Sequence, residues 1–182
     1  ITPVHEVSNK INLEVRHPEF LDENEIQYIK NLKPDIVVVV AYGKILPTKL
    51  LNLKKIKFIN VHASLLPKLR GAAPIQRAIM NLEKETGISI MKIEPKLDTG
   101  PILMKSKVKI SQETNYTDLS DKLSQLGSEL IINSLELIYK KKDEYLPQEE
   151  NKATYAKKIT KEESKIYWNI KAKNLIAKIN AL

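Results

Sequence analysis

The stretch Phe58–Gln76, FINVHASLLPKLRGAAPIQ, carries a strand, a loop and the start of a helix in nineteen residues. Lys57 to Val61 is a short run with apolar residues on both faces, the pattern of a strand buried inside an α/β sheet. Pro67 punctuates the loop, and Pro74 stands where a first helical residue belongs. Ile75, Ala78, Ile79 and Leu82 then recur at helical spacing and mark one apolar face. Asn60 and His62 lie two apart, so an extended chain points both to the same side. One hydrogen-bond donor and one group that titrates near neutrality are thereby aimed at one small volume, as half of an acyl-transfer site requires.

Working outward, Asp22 with Glu25 three later forms a helix-capping pattern, and Ile26, Ile29 and Leu32 follow at helical spacing until Pro34. Ile36 to Val40 is a β-branched run that predicts a strand buried on both faces, with Ala41-Tyr42-Gly43 as the turn at its end. Downstream, Gly87 opens a strand over Ile88 to Ile93, and Glu94 to Gly100 is a loop with Pro95 and Gly100 as turn residues. From Ile102 to Ile110, Met104, Val108 and Ile110 alternate with Lys105, Lys107 and Lys109, which predicts a strand with one wet face. The lysine row suits a solvated face or a guard on a sheet edge. Leu119, Leu123, Leu126, Leu130, Leu135 and Ile138 outline a long amphipathic helix from Tyr116 to about Lys141, in spite of Gly127. The alternation predicts an α/β fold with a mostly parallel sheet.

Lys140 to Lys161 is rich in Lys, Glu, Asn and Gln, with Pro147 and few large apolar side chains, and reads as a linker with little core of its own. Asn169 is the expected cap of a last helix in which Ala172, Leu175, Ile176 and Ile179 form the apolar stripe. These boundaries divide the chain into 1–145, a first domain that carries the candidate site; 146–168, a linker; and 169–182, the beginning of a further domain.

Each candidate site residue has an ordinary alternative. Asn60 suits a strand end that satisfies local backbone, and His62 a hydrogen-bonded interior histidine. Their place at the carboxyl end of a buried strand, where open sheets bind ligands, raises their interest. Asp98, in the turn Leu97-Asp98-Thr99-Gly100, either bonds nearby backbone or orients His62 and stabilises its charged form. Lys68-Leu69-Arg70-Gly71 either holds an anionic group or is an exposed loop with a glycine-dependent turn. Ser64-Leu65-Leu66-Pro67 lacks the G-x-S-x-G context of a nucleophile elbow and better suits a backbone-lined wall for a flat ligand. Tyr42 and Trp168 read more readily as packing residues than as stacking platforms in a chain that is 5% aromatic.

The chain of 182 residues holds no cysteine, so a disulfide is impossible and a metal would have only His, Asp and Glu to bind. Three scattered histidines make a metal site unexpected. Ile36 to Ala41 is far shorter than the roughly 20 apolar residues a bilayer crossing needs. The net charge of +8 allows an anionic partner such as RNA. It is spread evenly, however, with 15 basic and 11 acidic residues in both 1–100 and 101–182. No targeting segment is legible from Ile1 onward.

Asn60-Val61-His62, then Ser64 to Pro67, then Asp98-Thr99-Gly100 resemble in that order the site pattern of the folate-dependent formyltransferases. Within that family the segments VVAYGKILP, SLLPKLRGAAPIQR, ETGISIM, LDTG and ATYAKKITKEESKI look like those of the branch whose acceptor is methionine carried on initiator tRNA. Tyr167 stands where the family pattern has an aspartate before the linker tryptophan. The resemblance implies a Rossmann-like formyltransferase domain, here without its first βα unit, followed by a linker and the start of a small β-barrel that helps hold tRNA. It also implies 10-formyltetrahydrofolate as donor, initiator methionyl-tRNA as acceptor and no metal. Asn60, His62 and Asp98 would be catalytic, Ser64 to Pro67 would line the folate, and Tyr42, Arg70 and Gly71 would face the acceptor. A monomer in the bacterial cytoplasm, or in an organelle matrix, is the implied setting. A sugar amine, glycinamide ribonucleotide or water are the alternative acceptors, and a non-catalytic RNA-binding fragment is the alternative of another class.

Overall fold

The computed structural model describes residues 2–182. The strand of the opening stretch, β2 (Lys57–His62), lies between β1 (Ile36–Val40) and β3 (Glu85–Lys92), with β4 (Ile102–Lys109) beyond β3. β1 and β2 are parallel, in register from Ile36 opposite Lys57 to Val40 opposite Val61. β2 with β3, and β3 with β4, are antiparallel. The sheet is therefore mixed, where a mostly parallel one is expected from the alternation of elements. The connection from β2 to β3 holds the seven-residue helix α4 (Pro74–Met80) and does not cross back to the start of β2. β3 consequently enters from the end at which β2 leaves, with Ser89 opposite His62.

Alternation along β2 sorts its side chains onto two faces. Ile59 and Val61 turn to the side covered by α4 and the long helix α5 (Tyr116–Tyr139), where Ile79, Ile88, Ile90, Leu119, Leu123, Leu130 and Ile138 form the main core. Each fully buried leucine or isoleucine there contributes about 1.5–3 kcal/mol of transfer free energy. Gly127 on α5 has a packing reason: a Cβ added there would stand 3.3 Å from Val61 Cγ1, so glycine lets the helix lie close on the sheet. Phe58, Asn60 and His62 turn to the opposite face. Phe58 packs there with Ile26 of α2 (Glu23–Leu32) and Leu50 of α3 (Thr48–Leu51). Asp22 caps α2 as expected, accepting a 3.0 Å bond from the Glu25 amide. The first helix, α1 (Pro3–Lys10), buries no residue.

β1 is not buried on both faces. It pairs with β2 alone among the described residues, and α5 lies over β3 and β4, so Val38 and Val40 are exposed. β4, at the other edge, exposes Lys105, Lys107 and Lys109, consistent with an edge guarded by charge. No helix among the described residues is long and apolar enough to cross a membrane.

The segment expected to be a linker is docked instead. Leu146 exchanges backbone hydrogen bonds with Ile102, and Ala156 is completely buried against Leu69 and Ala78. Ala156 donates to the Arg70 carbonyl at 2.7 Å and accepts from the Ala73 amide at 3.2 Å. Further along, Arg77 of α4 clasps Glu163 through two bonds of 2.6 and 2.9 Å and donates to the Lys157 carbonyl. The last helix, α6 (Ala172–Ala181), begins after Lys171, which has no capping side chain, so Asn169 is not its cap. Its buried positions are Ala177 and Ala181, whose small side chains lie against the body while Ile176 and Ile179 stay exposed. α6 packs on α4, and Ala181 joins the main core.

The hydrogen bonds from Arg77, supported by the Thr160 amide, hold the Glu163 carboxyl at about 2, below its ordinary 4.5. Because the folded value is the lower one, the clasp contributes fully above about 4.5 and is lost as pH falls through about 2. In an NMR titration the Thr160 amide shift should move with a midpoint near 2; a midpoint near 4.5 would show that the clasp is not formed in solution.

Candidate active site

The C-terminal end of β2 brings Asn60 and His62 to the sheet face opposite α5, beside the loop 63–73 and the turn 94–100. Asn60 is half-buried, and its side-chain amide has no hydrogen-bond partner among the described residues. A donor so placed is free to meet a ligand atom. His62 is 5% exposed, and its Nε2 lies 2.9 Å from the Leu69 carbonyl oxygen. A carbonyl only accepts, so Nε2 carries a proton and Nδ1 is the nitrogen left for chemistry. Nδ1 stands 3.7 Å from Asp98 Oδ2, within ion-pair range and beyond a direct hydrogen bond. The predicted meeting of Asp98 with His62, across 36 residues of chain, is thus present in the fold.

Asp98 is itself held from two sides. Its Oδ2 accepts a 2.8 Å bond from the Gly71 amide, and its backbone carbonyl accepts 2.9 Å from Gln148 Nε2. Its backbone has φ +50°, a left-handed conformation that aspartate, like asparagine, adopts more readily than most non-glycine residues. Gly71 is in the left-handed half as well, at φ +118°, and a Cβ there would come within 2.8 Å of the Ala156 carbonyl oxygen. Only glycine lets the loop pass the docked segment and still present its amide to Asp98.

Arg70 is not where an acceptor-binding residue would be. Its side chain is fully buried, with two bonds to Glu150 of 2.9 Å each and two to Gln148 Oε1 of 3.1 and 2.9 Å. The hydrogen bond to Glu150 raises the Arg70 pKa above its usual value and lowers that of Glu150. With every face of the guanidinium turned inward, Arg70 is a structural anchor. The expectation that it faces the acceptor is corrected on that ground.

Of the proposed wall, Ser64 and Leu66 are fully buried and Leu65 and Pro67 half-buried. Ser64 Oγ donates to the Lys68 carbonyl at 2.6 Å, which closes the turn and leaves that hydroxyl no role as a nucleophile. Ser89 on β3 fastens the loop from behind, donating to the Ser64 carbonyl at 2.7 Å and accepting from the Leu66 amide at 3.1 Å. Tyr42 follows β1, and since β1 runs parallel to β2 it stands at the same end of the sheet as His62. Gln148, Glu150, Thr154 and Ser89 are the supports that reading residue by residue missed. Two of the four lie in segments that carry the resemblance, Thr154 in ATYAKKITKEESKI and Ser89 in ETGISIM, whereas Gln148 and Glu150 have no such signal.

Over residues 2–135 the sequence matches the family described as formyl transferase. The chain belongs to that family. A methionyl-tRNA formyltransferase from Pelagibacter ubique is 52% identical over 183 residues, taking in 100% of this chain and 59% of that protein. Another from Dictyoglomus turgidum is 48% identical, taking in 100% of this chain and 58% of its own length. The chain thus spans about three-fifths of the curated relatives it matches. Among solved structures, a 4-N formyltransferase from Francisella tularensis superposes with a TM-score of 0.81 at 22% identity, over 98% of this chain and 72% of that one. HypX from Aquifex aeolicus in complex with tetrahydrofolic acid gives 0.75 at 18% identity, over 86% and 27%. These likenesses establish the Rossmann-like formyl transferase fold, with its mixed sheet, for this chain.

Replacing Gly71 by alanine adds a Cβ both to a left-handed residue and against Ala156, and should destabilise the formyl transferase domain by at least about 1–2 kcal/mol. Urea unfolding is the measurement, and an unchanged midpoint would mean that the loop does not pass the docked segment as described.

Proposed function

We propose that the intact protein transfers a formyl group from 10-formyltetrahydrofolate to the α-amine of methionine esterified to initiator tRNA. The observation that carries this reading is His62 Nδ1 facing Asp98 beside the unpartnered amide of Asn60, at the strand end of a formyl transferase. The acceptor is supported by relatives named methionyl-tRNA formyltransferase, 52% and 48% identical across the whole chain. A sugar N-formyltransferase shares the fold at 19% identity, which carries no argument about acceptor. Net charge alone speaks for a non-catalytic RNA-binding role.

In the reaction the neutral amine attacks the formyl carbon, a tetrahedral oxyanion forms, and the bond to folate N10 breaks as the amide bond is completed. Asn60 donates to the oxyanion, a contribution of about 3 kcal/mol where comparable donors are removed elsewhere. Since Nε2 of His62 is committed to Leu69, Nδ1 is the atom that takes and returns the proton passing from the amine to N10. Asp98 stabilises the imidazolium that exists between those two transfers. The folate lies along Leu65 and Pro67, with Ser64 and Leu66 shaping that wall from within. Tyr42 and Gly71 remain the acceptor-side candidates, Gly71 also serving Asp98. Residues up to 145 form most of the catalytic body, 146–168 a connection strapped to it, and 169–182 a segment whose helix packs back on that body and leads toward a further tRNA-binding domain. Translation initiation in the cytoplasm is the corresponding setting.

Intact protein mixed with 10-formyltetrahydrofolate and each acceptor should formylate methionyl-tRNA and neither a sugar amine nor glycinamide ribonucleotide. Asn60→Ala, His62→Ala and Asp98→Ala should each lower single-turnover rates at least about a hundredfold with circular dichroism unchanged. A normal rate in any one of them removes that residue from the mechanism. Leu65→Ala should raise KM for the folate with kcat within about twofold; unchanged folate kinetics reject the placement of the wall.

A further inference from the structure

Two loops carry the His62–Asp98 pair, and both are fastened to the same docked segment. On the histidine side, Leu69 accepts from His62 Nε2, while the Leu69 amide donates to Thr154 Oγ1 at 2.9 Å and the Arg70 amide donates to the Thr154 carbonyl at 2.9 Å. On the aspartate side, the Gln148 amide group donates to the carbonyls of Asp98 and Gly100 at 2.9 and 2.8 Å. Gln148 Oε1 in turn accepts from the buried Arg70, two further donors of which go to Glu150. One amide side chain therefore spans from the loop of His62 to the loop of Asp98.

We propose that Gln148 is a positioning residue that sets the His62–Asp98 geometry from the docked segment, so that correct seating of residues 146–156 is a condition for turnover. This rests on the formyl-transfer reading for its kinetic part. Asp98 sits in a left-handed backbone state, one that the turn keeps through its bonds to the surrounding segments. Two features hold it here, the Gly71 amide on its carboxylate and Gln148 on its carbonyl. Without Gln148 the turn relaxes, Oδ2 leaves both the Gly71 amide and Nδ1, and His62 keeps only its bond to Leu69. Displacements of about 1 Å in such a pair lower rates on the order of a hundredfold.

The test uses Gln148→Glu in the intact protein, because a carboxylate still accepts from Arg70 but cannot donate to the Asp98 and Gly100 carbonyls. Gln148→Ala removes both functions, and Glu149→Gln, at an exposed surface pair with Lys152, is the control. In Gln148→Glu, hydrogen exchange at the Gly71 amide should quicken at least about tenfold while the Ala156 amide, which bonds the Arg70 carbonyl, keeps its protection. In the same variant kcat should fall about 10–100-fold with KM for folate within twofold, and Glu149→Gln should match the wild type. Unchanged Gly71 exchange in both Gln148 variants overturns the proposal, as does faster exchange with wild-type kcat. Loss of Ala156 protection in Gln148→Glu also overturns it, since Gln148 would then seat the segment rather than the pair. A wild-type protein that formylates no amine sinks the activity reading, and the Gly71 exchange then still decides whether Gln148 holds the Asp98 turn.

Discussion

A guanidinium with no exposed surface organises this molecule. Taking a charge out of water is costly unless it is paired and its donors are satisfied, and removing one partner of such a group leaves an uncompensated charge. Arg70 meets that condition through Gln148 and Glu150, residues that lie 78 and 80 positions further along the chain. The loop following β2 can therefore adopt its final shape only when the segment after α5 has come back to it. Backbone bonds between Arg70, Thr154 and Ala156 extend the same contact into a short ladder.

From that anchor the geometry of the candidate site follows. Leu69 and Gly71 flank Arg70, and the carbonyl of one accepts a hydrogen bond from His62 Nε2 while the amide of the other donates to the Asp98 carboxylate. Fixing Arg70 fixes both neighbours to within the freedom of a peptide unit. The two side chains of the pair thus meet main-chain groups, which have no rotamers to lose, the Gln148 side chain holds the Asp98 carbonyl, and Asn60 is the member left with an open donor. A site built this way is rigid where charge must be stabilised and open where a ligand must enter, in keeping with preorganised electrostatic catalysis.

The sheet separates packing from chemistry by simple alternation. Ile59 and Val61 look toward α5 and supply the main core, while Asn60 and His62 look the other way and are released from that duty. Gly127 tightens the first face by admitting the helix close to Val61, and Ser89, opposite His62 on β3, fastens the loop on the second. Because the antiparallel pairing brings Ser89 beside His62, the mixed topology serves the site directly.

The sequence by itself determined the elements and the chemistry they present: the Lys57–Val61 strand, Pro74 at the start of α4, the Asp22 cap, the leucine face of α5 and the facing of Asn60 with His62 are all local, set by periodicities of two and 3.6 residues and by single turn residues. Its resemblance to the folate-dependent formyltransferases also singles out Asp98. Only the tertiary structure decided where Arg70 points, that residues 146–164 are docked and not free, that β1 has an uncovered edge, and that α6 buries Ala177 and Ala181 rather than Ile176 and Ile179. Each of these depends on a partner tens of residues away, and nothing in a local pattern encodes which distant surface a side chain will meet. A polar run such as PQEEN looks like solvent-exposed linker because its hydrogen-bonding partner, a buried arginine, carries no mark of burial in its own sequence neighbourhood.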